Sequence, residues 1–173
     1  MWYSVSKDSI DFRIENLNKI KPMQALEKNI EYIMSTYKPP YYIMCSGGID
    51  SQAMLHSWIL FGKDYIPLCI TYNNDLNKHD ISNLKKFSEY MNIEIVYKDF
   101  DLLNFLQNRY PAVSRKFECS SPQIATHISM VQDLDGTAIF GGNVLGPRGV
   151  YLTRALLGLL NASKEQSIVP FFF

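Results

Sequence analysis

Tyr41-Tyr42-Ile43-Met44-Cys45-Ser46-Gly47-Gly48-Ile49-Asp50-Ser51 is the stretch whose reading decides the fold. Tyr41 to Cys45 form an apolar run of strand length without alternation, the pattern of a strand buried on both faces of a parallel sheet. Ser46-Gly47-Gly48 breaks the run and Gln52 to Leu60 resumes with helical character, so the segment reads as strand, glycine loop, helix. Two adjacent glycines let the backbone turn sharply and approach a ligand with no Cβ in the way. The start of the following helix offers free N–H groups and a partial positive charge, a seat for phosphate. Ser46 and Ser51 add hydroxyl groups at both ends of the loop, and Asp50 is the odd member, because a carboxylate repels phosphate. A Mg²⁺ ion shared between Asp50 and phosphate oxygens resolves that conflict. The loop is not of the Walker type, since neither G-x-x-x-x-G-K-[ST] nor G-x-G-x-x-G occurs in the chain.

Outward from this segment, helices and strands alternate. Met23 to Tyr37 carries a helical apolar stripe, introduced by Pro22 and ended by Pro39-Pro40. Ile66 to Tyr72 is a second strand, followed by a helix through Ile81, Leu84, Phe87 and Met91 with Asn77 or Asp80 as its N-cap. Ile93 to Tyr97 reads as a third strand, with a short helix around Leu102 to Arg109. Pro111 to Ser121 reads as loop, Gln123 to Gln132 as helix, and Thr137 to Phe140 as a fourth strand closed by Gly141-Gly142. Val150 to Asn161 is a Leu-rich last helix. Such alternation implies right-handed βαβ units. The expected fold is a doubly wound α/β parallel sheet with helices on both faces, Rossmann-like, over residues 41–173, after an extension and first helix over 1–40. Ligands in such sheets bind beyond the carboxyl ends of the strands, here Ser46–Ser51, Asn73–Asp80, Lys98–Asp101 and Gly141–Gly149.

Composition narrows the classes of function. The 173 residues are 47% hydrophobic, enough for one domain with a real core. Lys+Arg and Asp+Glu both total 17, which argues against a nucleic-acid coat, for which a basic surplus is needed. Cys45, Cys69 and Cys119 are scattered and odd in number, against a disulfide framework or a Cys-based metal site. His56, His79 and His127 lack metal-ligand spacing and read as structural or solvated. No secretory leader and no run of membrane-spanning length is visible, so the expected location is the cytoplasm.

Ser46-Gly47-Gly48-Ile49-Asp50-Ser51 resembles the SGGxDS signature of the PP-loop ATP pyrophosphatases (adenine nucleotide alpha-hydrolase-like), whose members cut ATP between the α and β phosphates and adenylate a substrate. Ser120-Ser121-Pro122-Gln123, a helix, then Thr137 to Asn143 resembles the corresponding helix and strand–Gly loop of the asparagine-synthetase branch; together the likeness runs from Tyr41 to Asn143. The resemblance implies that Ser46, Gly47, Gly48, Ile49, Asp50 and Ser51 bind the pyrophosphate of ATP. It also implies that Cys45, Tyr72, Gly141 and Gly142 touch adenosine, largely through backbone, and that Asp50 is a Mg²⁺ ligand. Where asparagine synthetases place a second metal-binding Asp, this chain has Asn143, so another acid near a strand end, Asp75, Asp80, Asp99 or Asp101, is a candidate to complete the site. With about twenty residues before the first helix, the expectation is that ammonia from glutamine would come from a separate partner.

Phosphoanhydride cleavage develops negative charge that Lys or Arg can neutralise. Arg148 is the first choice and Lys116 the second among Arg115, Lys116, Arg148 and Arg154. Cys119 reads as a buried, inert thiol. The expected activity is an AMP-forming, ATP-dependent ligase that activates a carboxylate or carbonyl of a small-molecule acceptor. A nucleobase- or tRNA-modifying enzyme and a non-catalytic nucleotide-binding subunit are the alternatives. Ile168-Val169-Pro170-Phe171-Phe172-Phe173 is too apolar for a tail in water. Packing on its own domain, a groove on a second subunit, or membership of a longer chain would each cover it, and a homo-oligomer is the expectation.

Overall fold

The computed structural model describes residues 2–5, 10–13, 20–142, 158–159, 161–162 and 167–172. Trp2–Val5 (β1) and Ile10–Arg13 (β2) pair as an antiparallel hairpin, and Pro22–Thr36 is helix α1. The main sheet is built from Tyr41–Met44 (β3), Tyr65–Tyr72 (β4), Val96–Phe100 (β5), Thr137–Gly142 (β6) and Ile168–Phe172 (β7). All its pairings are parallel and the strand order is β5-β4-β3-β6-β7. From β3 the chain winds outward through β4 and β5, then returns to the other side of β3 for β6 and β7. The direction of winding reverses at β3, so the carboxyl end of β3 opens at the switch point where doubly wound sheets bind ligands.

The pleat sends alternate side chains of each strand to opposite faces, and here both faces are covered. Ile43 and Cys45 on one side of β3 pack with Ile30 and Ile33 of α1, and with Met54, Leu55 and Trp58 of α2 (Ile49–Phe61). Leu84 of α3 (Lys78–Met91) belongs to the same cluster. Met44 faces the other way, into a cluster with Phe105, Phe117, Ile128 and Phe140. That second layer comes from the turn of helix Leu102–Asn104 (α4), the π-helical Phe105–Arg109, α5 (Tyr110–Lys116) and α6 (Pro122–Met130). Unbroken apolarity in β3 is therefore the signature of a strand with a helical layer on each side.

Several expectations shift. The third strand begins at Val96, because Asn92, in the left-handed region at φ 50°, caps α3 and receives the chain reversal, while Ile93 N–H bonds the carbonyl of Ser88 at 3.0 Å. The stretch 111–121, expected as loop, contains α5: Pro111 occupies the first helical turn, where its missing N–H costs nothing, and Val113 and Phe117 are buried. The β1–β2 hairpin was not expected at all. Of the last helix, 158–159 and 161–162 are helical, and Gly158 packs so tightly on Cys119 that a Cβ there would sit 2.4 Å from the Cys119 Cβ.

The apolar tail joins the main sheet. It forms the edge strand β7, in register with β6 from Ala138↔Ile168 to Gly142↔Phe172, and Ile168, Val169 and Phe171 are buried in the chain's own core. Ile168, Val169 and Phe171 are thus covered by the chain's own domain, the first of the three coverings the sequence left open. Phe171→Ala should lower the free energy of unfolding in urea by about 3–5 kcal/mol, the usual cost of emptying a buried phenylalanine site. A loss below about 1 kcal/mol would mean that β7 does not contribute to the core in solution.

Candidate nucleotide site at the end of β3

A cleft of about 700 Å³ opens beyond the carboxyl ends of β3, β4 and β6. Met44, Ile70, Tyr72, Leu106, Met130 and Phe140 make its apolar half, and Ser46, Gly48, Asp50 and Ser51 make the polar lip. An apolar slot beside a few convergent polar groups is the usual shape of a small-molecule site.

The Ser46–Ser51 loop is tied down by its own side chains. The Ser51 hydroxyl accepts from the Ser46 N–H at 3.2 Å and donates to the Gly48 carbonyl at 2.9 Å; the Ser46 and Ser51 hydroxyls lie 3.2 Å apart. From one turn into α2, the Gln52 Nε2 donates to the Gly47 carbonyl at 2.8 Å. Gly48 is the N-cap residue without a side chain to cap with, so the first N–H groups of α2 keep no intrahelical partner. Gly47 is irreplaceable on two counts. Its φ is +86°, and a Cβ would stand 2.0 Å from the backbone carbonyl oxygen of Asp80. The loop is therefore pressed directly onto the first turn of α3.

The other wall is fixed by Asn77. Its Nδ2 donates to the Ile70 carbonyl at 2.8 Å, and its Oδ1 accepts from the Tyr72 N–H at 3.0 Å. Asn77 occupies the N-cap position of α3, but its side chain splices the end of β4 rather than capping the helix. Tyr72 stands edge-on to Phe100 with centroids 6.4 Å apart. Burial, with Cys69 and Asp80 nearby, raises its phenol above the ordinary range, so it stays neutral.

Of the residues expected from sequence, Cys45, Ser46, Gly48, Ile49, Asp50, Ser51, Tyr72 and Gly141 line the cleft. Gly47 lies behind the loop against Asp80, and Gly142 ends β6. The amide of Cys45 is already bonded to Leu68 at 2.8 Å and that of Tyr72 to Asn77 at 3.0 Å, so neither N–H is free for a ligand. Lys116 is not brought to the cleft: it sits in the last turn of α5 with its ammonium 4.8 Å from the centre of the Phe117 ring. Arg148, Asn143 and Arg154 lie outside the described residues. Among the acids considered, Asp80 lines the cleft with Asp50. Asp99 hydrogen-bonds Thr71, and Asp101 accepts from Asn73 Nδ2 at 2.7 Å and caps α4.

The sequence singled out the start of α6 through Gln123, but not Thr126 or His127, which reach the cleft beside it. His127 stacks on Phe140 with ring centroids 5.1 Å apart, and burial lowers its pKa to about 4. Histidine on an otherwise apolar helix face carries no spacing signal, so only the sheet it packs on reveals it. The thiols are inert: burial raises Cys45 to about 12 and Cys69 to about 11, and raises Cys119 as well. Among the described residues no group of three metal-ligating side chains occurs. A divalent ion here would rest on Asp50, exposed in the first turn of α2, with phosphate oxygens and water completing its shell. That donor set suits Mg²⁺, which takes one or two carboxylates and retains water.

The unfolded imidazole, near pKa 6.5, takes up its proton before the native one does. Stability from neutral His127 is therefore complete above pH 6.5 and is lost as pH falls toward 4, by roughly 3 kcal/mol in all. His127→Gln should flatten this part of the urea-unfolding pH profile relative to the parent. Parallel profiles from pH 7 to 4 would show that His127 does not titrate in a buried setting.

No protein-family model matches the chain, and no curated protein matches it by sequence. By structure it is similar to NMN synthetase from Francisella tularensis, with a TM-score of 0.50 and 16% identity over 83% of this chain and 68% of that one. It is also similar to the glutamine-dependent NAD+ synthetase of Acinetobacter baumannii in complex with ADP, with a TM-score of 0.45 and 12% identity over 75% of this chain; it spans only 27% of that chain's length. The likeness to NMN synthetase is one of fold: a Rossmann-like α/β domain with a parallel sheet and helices on both faces.

Proposed function

We propose that the chain is an ATP pyrophosphatase of the PP-loop type, which binds Mg·ATP at Ser46–Ser51 and transfers the adenylyl group to a carboxylate or carbonyl oxygen. The observation that carries this reading is the self-bonded glycine loop at the switch point of the sheet, with the uncapped amides of α2 behind it and a 700 Å³ cleft in front. Those amides and the helix dipole suit the β and γ phosphates. The apolar half of the cleft, from Ile70 and Tyr72 to Met130, suits the adenine ring.

The loop lacks the lysine with which a Walker loop grips the β and γ phosphates while presenting the γ-phosphoryl group to an acceptor. Bound here by backbone and serine hydroxyls, pyrophosphate becomes the leaving group and the α-phosphorus faces the strand ends. Mg²⁺ would supply charge neutralisation of the departing pyrophosphate. The N–H groups at the start of α2 orient and stabilise the same oxygens without reorganising. Ser121, N-cap of α6, and the adjoining Pro122 and Gln123 bring the asparagine-synthetase-like stretch onto the cleft wall, which supports an acceptor of that branch's kind. Three buried thiols with raised pKa values speak against the sulfur-transferring, tRNA-modifying alternative. Among the described residues no helix is long and apolar enough to cross a membrane.

The expected products are AMP and pyrophosphate, formed only with Mg²⁺ and an acceptor present. ATP labelled at the α and γ positions, incubated with panels of carboxylate and amide acceptors, reads this directly. Asp50→Asn should slow the reaction at least about tenfold. ADP and phosphate as products, unaffected by Asp50→Asn, would overturn the mechanism.

A further inference from the structure

We propose that a small cavity between β5 and the carboxyl end of α6 is a second binding site, which takes a free α-amino acid or a similarly small ammonium carboxylate. That site is separate from the nucleotide cleft, and its test needs no nucleotide.

The cavity measures about 170 Å³, roughly a quarter of the 700 Å³ of the nucleotide cleft, and so admits only a small ligand. Phe100 of β5, Phe105 of the π-helical turn and Met130 of α6 form its apolar part. Met130 also lines the nucleotide cleft, so the two hollows share a wall. The segment after β5 serves both as well: Leu102 and Leu106 line the cleft, while Asn104 and Arg109 line the cavity. A π-helical turn, the conformation of Phe105–Arg109, is often found beside functional sites.

Ser129 is the decisive group. It lines the cavity, is only 4% exposed, and its hydroxyl has no hydrogen-bond partner. Ser57 and Thr126, buried in helices like Ser129, donate one turn back to the carbonyls of Ala53 and Pro122, each at 2.8 Å. Ser129 makes no such bond, although the Ala125 carbonyl lies four residues before it. A buried hydroxyl left idle is destabilising, so the cavity is where this one finds its partner.

The surrounding charges suit a ligand with two ends of opposite sign. Lys98 and Arg109 bond only neutral acceptors, the Met130 carbonyl at 3.4 Å and the Gln132 side chain at 3.2 Å. Asp99, Asp101 and Asp133 line the same cavity, yet neither cation pairs with them. The only ion pair among the described residues joins Lys38 to Asp135. Asp99 is engaged by Thr71, and Asp101 by Asn73 and the Asn104 amide. Asp133 has no partner among the described residues. A plain anion would meet acids that outnumber the cations, and a plain cation would meet Lys98 and Arg109. A zwitterion avoids both conflicts. Its carboxylate suits Lys98, Arg109 and the Ser129 hydroxyl, and its ammonium group suits Asp133.

Titration of the full chain followed by amide NMR tests this, with each standard L-amino acid, acetate, methylamine and inorganic phosphate as separate probes. At least one amino acid should saturate at millimolar concentration and shift the amides of Lys98, Arg109, Ser129 and Asp133. Acetate and methylamine, each lacking one charged end, should bind at least about tenfold more weakly. Arg109→Gln and Asp133→Asn, both at exposed positions, should each weaken the amino acid about tenfold or more. Ser129→Ala should melt no lower than the parent without ligand, because it removes an unpartnered hydroxyl, and should still lose affinity for the amino acid. Full affinity in any of the three variants would overturn the assignment. So would phosphate saturating where no amino acid does, or shifts confined to Gly47–Asp50, which would place the ligand in the nucleotide cleft. Saturation by none of the probes would mean a hollow filled by water alone, and the proposal would fall.

Discussion

Strand β3 is hydrogen-bonded to β4 on one side and β6 on the other, and helical layers bury both of its faces. On one side of it the sheet continues through β4 and β5 and on the other through β6 and β7, so the winding reverses there and at its carboxyl end the layers part and leave a crevice. Everything about the site follows from what the chain does on leaving that strand. It cannot continue straight, because α2 must fold back over Ile43 and Cys45. The turn is made by Gly47 at a φ that side chains rarely adopt, pressed onto the Asp80 carbonyl. The tight turn brings a helix start, two serines and an aspartate to the mouth of the crevice together.

The loop is preorganised. Its serine hydroxyls bond one another and the loop backbone before any ligand arrives, and Gln52 ties the loop to its own helix. Donors fixed in this way lose little freedom on binding an anion and need no rearrangement as charge builds on it. Asn77 plays the equivalent part on the facing wall, completing the backbone hydrogen bonds that β4 would otherwise leave open at its end. Neutral His127 and neutral Tyr72 complete a wall that contributes hydrogen-bonding edges without charge. The electrostatics of the described cleft consequently belong to its two aspartates.

The β3–loop–α2 unit was legible because both layers leave their mark on one short segment: apolarity on every residue, then glycine, then the helical period. The parallel class followed from the same logic repeated at β4 and β6. Less was visible where local and tertiary signals compete. Pro111 reads as a breaker, yet it starts α5, because a proline in the first turn gives up no hydrogen bond. The tail could be recognised as apolar, but whether it met its own sheet or another subunit depended on β6 having an unpaired edge. Lys116 carries the right charge at the wrong end of α5, a matter of helix direction that the local pattern does not encode. Asp80 was one of several acids near strand ends, and only the fold shows that of the four it is the one that lines the cleft.

The central claim is that the Ser46–Ser51 loop seats the phosphates of ATP with the α-phosphorus turned toward the strand ends. A crystal structure with Mg²⁺ and α,β-methylene-ATP tests it most directly. The account predicts β and γ phosphates within hydrogen-bonding distance, about 3 Å, of the loop amides and serine hydroxyls, the adenine between Ile70 and Met130, and the metal on Asp50. Triphosphate bound anywhere else on the molecule, or seated with its γ-phosphate toward the cleft interior, would contradict it.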